Sequence, residues 1–210
     1  MKSVIYTFIF LLAFATTAFA NDGMHKVYAG YVVTVKGDTL KGTIQMLSPT
    51  LNETKVKLTS EKGEAMIFKA KDLAGYTFFY KKYNKELKKR VNEEVVYVRK
   101  VADRAAIPFG SKEILMERFI TGTVNVYNFY FEIRTNRTSP YEHIFYVERD
   151  NKMVQVDRVN FKKTIRNMVS DYPELQAKVG KKGYGYKYIA KIIKEYNNYT
   201  SPKGEMIGMN

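Results

Sequence analysis

Cysteine is absent from this chain, and so is tryptophan. No disulfide can staple the fold, no cysteine-based zinc site can form, and a leader cleavage site here cannot carry a lipid-modified cysteine. Stability has to come from packing alone. Imidazole is scarce too, with only His25 and His143 present. Glu142 precedes His143, and neighbours on a strand point to opposite faces, so the two do not chelate jointly. Glu148 and Asp150 beside His143 are the one remaining route to a metal, and no metal or cofactor is expected. Also missing are the G-x-S-x-G elbow, the H-E-x-x-H helix, the P-loop and the G-x-G-x-x-G turn. Gly180, Gly183 and Gly185 around Tyr184 and Tyr186 imitate a phosphate cradle, but no strand precedes them. No local motif names a catalytic residue. A carboxylate pair assembled only in space would leave no such mark.

Negative charge is the other deficit. Lys and Arg number 35 against 21 Asp and Glu, for a formal charge of +14. Residues 1–20 read as a signal peptide: Lys2 gives a short positive start, 4–14 an apolar core, and Ala18, Phe19 and Ala20 a small-x-small cleavage site before Asn21. Beyond it no apolar run has spanning length, so an exported chain with no transmembrane span is expected. Lys2 is the only charge before Asn21, which leaves +13 on the remainder. Charge of that size attracts anionic partners such as lipid head groups or lipopolysaccharide, and export argues against nucleic acid. Tyr (17) outnumbers Phe (13), so many large side chains carry a hydroxyl that wants a partner.

What is present begins with 28–46, YAGYVVTVKGDTLKGTIQM, two alternating runs about a Lys36, Gly37, Asp38 turn. Side chains alternate with period two in a strand, so Ala29, Tyr31, Val33 and Val35 share a face, as do Leu40, Gly42, Ile44 and Met46. Gly37 tolerates positive φ and Asp38 can bond its own backbone, which makes a hairpin. Further strands are expected at 55–59, 65–70, 76–80 and 95–101, joined by short connections. Residues 81–94, KKYNKELKKRVNEE, interrupt them as a solvated loop or frayed helix. The run 114–120 suits a strand covered on both faces, and Gly122 permits a bulge. Tyr127, Phe129, Phe131 and Ile133 then line one face of a half-buried strand, followed by strands at 144–147 and 153–156. Lysines interrupt most of these strands, unlike the unbroken lipid-facing side of an outer-membrane barrel.

The period changes near Asn160, which is placed to cap a helix whose stripe is Phe161, Ile165, Met168 and Val169. Pro173 opens a short helix, and Ile189, Ile192, Ile193 and Tyr196 stripe a last one with lysines opposite. From Arg149 onward thirteen Lys and Arg meet six Asp and Glu, a net of +7. The expected fold is α+β: an antiparallel β-sandwich or partial barrel of about eight strands, followed by two or three C-terminal helices packed on one end. Its parts are a signal peptide 1–20, a β domain 21–157, a helical cap 158–200 and a loose tail 201–210.

The combination of GYVVTVKGDTLKGTI, FYVERDNKMVQV, NFKKTIRNMVSDYPEL and IIKEYN resembles a family of small exported proteins of unknown function from Gram-negative bacteria. The resemblance implies a cell-envelope location and an N-terminal β part with a C-terminal helical part, and it lends no catalytic residues. The residues themselves point to a non-catalytic envelope protein whose partner is an anionic envelope component or an envelope protein. Contact would come from Lys81, Lys82, Lys85, Lys88, Lys89 and Arg90 with Lys162, Lys163, Lys187 and Lys191. An alternative is a small-ligand carrier with Tyr127, Phe129 and Phe131 lining a cavity inside the curled sheet. A third is a hydrolase whose acids meet only in the fold, one with a raised pKa.

Overall fold

The computed structural model describes residues 26–85, 87–101, 113–132 and 141–201. The expected leader, the start at Asn21, His25, the loop at 102–111, the turn at 135–140 and the tail at 202–210 lie outside these residues. The described strands are β1 (Val27–Thr34), β2 (Thr39–Gln45), β3 (Lys55–Ser60), β4 (Ala65–Lys69), β5 (Leu73–Asn84), β6 (Lys89–Val101), β7 (Glu113–Ile120), β8 (Asn125–Glu132), β9 (Tyr141–Arg149) and β10 (Lys152–Val156). They form one antiparallel sheet in the order β10-β9-β8-β7-β6-β5-β1-β2-β3-β4. The count is ten where about eight were expected, because each short alternating run finds its own place in the ladder. The sheet does not close into a barrel, since β10 and β4 remain its two ends.

The opening hairpin forms as its turn chemistry demands. Gly37 sits at φ 91°, and Thr34 Oγ1 accepts from the amides of Lys36 and Asp38 at 3.3 and 3.2 Å. Glycine is the residue that enters this backbone region without steric cost. β1 and β2 then pair in register from Val33 with Thr39 to Val27 with Gln45. The inward face of β2 carries Leu40, Ile44 and Met46, whereas that of β1 carries Tyr28 and Val32 and leaves Val35 exposed. Gly30 and Gly42 face each other between these rows. A Cβ on Gly30 would come within 2.9 Å of Ile44 Cδ1, and one on Gly42 within 2.9 Å of the Thr59 carbonyl carbon. Their bareness lets the strands bend tightly around one core of Val32, Ile44, Val56, Leu58, Tyr76 and Leu115.

Residues 81–94 correct the expectation of a loop or frayed helix. β5 and β6 run on as a paired arm, with Lys82 opposite Val91, Tyr83 opposite Arg90 and Asn84 opposite Lys89. Backbone ladder bonds hold this arm, and Lys88 takes the turn at φ 48°. Its lysine content reports an exposed surface, not a lack of structure.

The helices are α1 (Pro49–Asn52), α2 (Phe161–Met168), α3 (Pro173–Lys178) and α4 (Ile189–Thr200). The last three cover one face of the β7–β10 half of the sheet. Phe161, Ile165, Leu175, Ile189, Ile192, Ile193 and Tyr196 bury against Ile120, Val126, Phe145, Val147 and Val156. Each such side chain contributes about 1.5–3 kcal/mol relative to exposure. Asn160 stands at the N-cap of α2 without capping it. Its Oδ1 instead accepts from the Asp157 amide at 3.0 Å, while Asp157 Oδ1 accepts from the amides of Val159 and Asn160. Ile114, Met116, Tyr127, Phe129 and Tyr146 form a third core on the other face of this half.

One irregularity positions the site. β7 and β8 pair from Ile120 with Val126 to Glu117 with Asn128, and no further. Beyond that point Glu53 stands between them: its carbonyl accepts from Leu115 N–H at 2.8 Å, and its Oε1 accepts from Tyr130 N–H at 2.5 Å. The segment after α1 thereby satisfies backbone groups that the parted strands leave open.

Candidate functional site

A cleft of about 390 Å³ lies among residues of β1, β5, β6 and β7. Alternation along β1, β5 and β6 puts Tyr28, Phe78, Tyr80 and Tyr97 on its walls, with Glu117 of β7 and Lys26 also lining it. The register makes a row of Val32, Tyr76, Tyr97 and Glu117 across four strands. Tyr76 stacks on Tyr97 at 4.5 Å between centroids, Tyr28 on Phe78 at 5.3 Å, and Phe78 lies 6.5 Å from Tyr97. Burial pushes the phenols of Tyr76 and Tyr97 well up, so both rings stay neutral. Tyr80 donates to Glu93 at 2.6 Å; that bond holds the Glu93 carboxyl below its ordinary range and pushes the tyrosine up to about 12.

Glu117 is the acid of the cleft. Its Oε2 accepts from Tyr130 Oη at 2.8 Å and from Asn128 Nδ2 at 3.3 Å, and it forms no ion pair among the described residues. Glu53 does not line the cleft and is 2 % exposed. Burial raises its carboxyl to about 8, against the pull of the Tyr130 amide and with a further push from the negative charge of Glu117. Near neutral pH Glu53 is therefore largely an uncharged carboxylic acid, placed to hold strands together.

A second concavity lies on the helical cap. Lys162, Lys163 and Arg166 of α2, with Asn167, and Gln176 of α3 line an open groove of about 720 Å³ that no carboxylate borders. Arg166 donates one terminal N–H to Val179 O at 3.3 Å, while its Nε is buried with no partner among the described residues. Gln176 Nε2 donates to Arg166 O at 3.1 Å and ties α3 to α2. The stem of Lys162 lies over Gly180, where a Cβ would come 3.1 Å from its Cδ.

The expected contact residues thus separate into three places. Lys162 and Lys163 come together in the groove with Arg166. Lys187 and Lys191 do not line it; they sit over the rings of Tyr188 and Tyr184, at 4.9 and 4.0 Å. Lys81, Lys82, Lys85, Lys88, Lys89 and Arg90 are exposed along the β5–β6 arm, with Lys82 paired to Glu93 at 3.1 Å. Tyr127 and Phe129 are buried and Phe131 packs against the same core, so none of the three lines the cleft. His143 is exposed and lies 5.0 Å from Phe145 and 5.9 Å from Tyr130, ring to ring.

Sequence reasoning passed over Tyr28, Tyr97, Glu117 and Arg166. Glu117 had one signal, a charge inside the most apolar strand run. Arg166 had another, its place one turn after Lys162 and Lys163 on the polar side of a helix. Among known proteins no family model matches the chain, and no curated protein and no solved structure is significantly similar to it.

Proposed function

We propose that this protein is a non-catalytic component of the cell envelope that contacts an anionic surface through its helical cap. The observation that carries this reading is the groove of Lys162, Lys163 and Arg166, three cations with no carboxylate on its walls. Residues 158–201 hold ten Lys and Arg against three Asp and Glu. Of those acids, Asp171 is engaged by Arg149 at 3.0 Å and Glu195 by Lys178 at 3.0 Å. The positive field of the cap is therefore left open to an outside anion, and clustered cations near a lipid surface contribute about 1 kcal/mol each. The exposed β5–β6 arm is a second basic element open to an anionic surface. The export of the chain, its release as a soluble protein and its envelope location belong to this proposal.

Retention on phosphatidylglycerol vesicles, compared with vesicles of the uncharged galactolipid digalactosyldiacylglycerol, tests it. Retention on the anionic vesicles alone, falling steeply as salt shortens the screening length, is the expected result. Lys162→Glu with Lys163→Glu should lower that retention about tenfold or more. Binding that ignores salt, or that survives the double reversal unchanged, would remove the reading. The aromatic cleft supports a second one, carriage of a small ligand inside the curl of the sheet, which we read as a partial barrel.

A further inference from the structure

We propose that the cleft among β1, β5, β6 and β7 is a binding site for a small organic cation, a quaternary or alkylated ammonium group held by Tyr28, Phe78, Tyr80, Tyr97 and Glu117. This inference rests on the carrier reading and is independent of the basic cap.

Three observations converge on that ligand class. First, the walls are aromatic: Tyr28 and Tyr80 meet at a tilt of 59° with centroids 6.0 Å apart, while Phe78 stacks on Tyr28 at 5.3 Å and on Tyr97 at 6.5 Å. The faces of such rings carry the negative end of a quadrupole and attract a poorly hydrated cation within about 6 Å. Second, the acid among them keeps one oxygen available to the cleft. Tyr130 Oη and Asn128 Nδ2 both donate to Oε2 of Glu117, and Oε1 accepts no hydrogen bond among the described residues. A carboxylate that only accepts hydrogen bonds, half-buried and without a cation of its own, is complementary to positive charge. Third, this acid is set in a chain with an excess of fourteen positive charges, yet none of them pairs with it among the described residues.

Other ligand classes fit less well. Of the hydroxyls that could read a sugar, Tyr80 is already committed to Glu93 at 2.6 Å. An anion would meet Glu117 directly. Lys26 also lines the cleft, but it is exposed, where solvent and salt screen its repulsion of a cation. The volume of about 390 Å³ lies in the range of small-molecule pockets and admits a trimethylammonium group with a short substituent.

The test is a calorimetric titration of the full chain with choline, with its uncharged carbon isostere 3,3-dimethylbutan-1-ol, and with acetate as an anionic control. Choline should saturate one site, bind at least about tenfold more tightly than the isostere, and shift the ring proton resonances of Tyr28 and Tyr97. Glu117→Gln keeps an oxygen to accept from Tyr130; it should weaken choline about tenfold and leave the isostere unchanged. Tyr28→Leu, at the rim of the cleft, should weaken choline as well and serves if Glu117→Gln fails to fold. Equal affinity for choline and the isostere, tighter binding of acetate, no saturable choline binding, or indifference to both substitutions would each overturn the proposal. Vesicle retention by the cap would be untouched by any of these outcomes, so failure here and failure of the surface-binding reading are separable.

Discussion

Lys100 Nζ and Glu148 Oε1 stand 2.6 Å apart, although β6 and β9, which carry them, are separated in the ladder by β7 and β8. In a flat sheet three ladder steps alone span about 14 Å. The two are also at opposite ends of their strands' pairings, Lys100 beside Ile114 and Glu148 beside Asn125. The sheet must therefore fold over the core of Met116, Tyr127, Phe129 and Tyr146, and this pair lies where the two sides meet. Tyr127 Oη donates to Glu148 Oε2 at 2.5 Å, and Lys100 lies 4.7 Å above the Tyr127 ring. Burial pushes the Glu148 carboxyl up, but the bonds from Lys100, Tyr127 and Asn125 outweigh it and hold the group below its ordinary range.

The pair should accordingly be energetically coupled. Lys100→Met leaves a mostly buried carboxylate without its cation and should cost about 2–3 kcal/mol in urea unfolding at neutral pH. Glu148→Gln keeps an acceptor for Tyr127 and should cost about 1–2 kcal/mol. The double variant should fall short of the sum by about 1 kcal/mol or more. Simple additivity would mean that the contact contributes nothing to closing the sheet. Because its folded pKa is depressed, the contribution of Glu148 is present above the ordinary carboxylate range and is lost as pH falls through it.

Glu53 predicts the opposite pH dependence. Its carboxyl titrates at about 8 in the fold against 4.5 as a free side chain, so between those values the folded state holds more protons than the unfolded one. Its contribution is complete below about pH 4.5 and fades as pH climbs toward 8, by an amount on the order of a few kcal/mol. Glu53→Gln keeps an oxygen for the Tyr130 amide and has no proton to lose. Melting temperatures measured from pH 5 to pH 9 should show the variant close to the parent at the acid end and more stable at the alkaline end. Parallel curves across that window would show that Glu53 does not titrate as its burial demands.

These residues also show where sequence pattern ends. The stripe Phe161, Ile165, Met168 and the stripe Ile189, Ile192, Ile193, Tyr196 are legible because a helix that covers a sheet must repeat its apolar side chains every three to four residues. The row Leu40, Ile44, Met46 is legible for the matching reason in a strand. The β5–β6 arm was hidden because backbone bonds and the Tyr80, Glu93 and Lys82 cluster hold it, and neither leaves an apolar period. Glu53 was hidden more deeply. What buries it is the parting of β7 from β8 some sixty residues later in the chain, an event with no local trace at position 53. Of the groove, Lys162 and Lys163 were visible as charges on a helix. That α3 forms its other wall through Gln176 required the fold.

Asn197 of α4 fastens the helical cap to the sheet through a single backbone residue. Its Oδ1 accepts from Val124 N–H and its Nδ2 donates to Val124 O, both at 2.9 Å, with Val124 fully buried and Asn197 4 % exposed. Gly122 lies against the same amide: a Cβ there would come within 2.5 Å of Asn197 Cγ and 3.0 Å of its Cβ. Asn197→Leu strands a buried donor and a buried acceptor together and should cost about 2–4 kcal/mol, with faster amide exchange at Val124. Gly122→Ala should cost about 1–3 kcal/mol by forcing the Asn197 side chain off its bonds. Alanine at 197 removes the groups that the new methyl would strike, so Gly122→Ala on an Asn197→Ala background should cost at least about 1 kcal/mol less than it does alone. Equal penalties in the two backgrounds would show that the glycine is required for its own backbone and not to make room for the clasp.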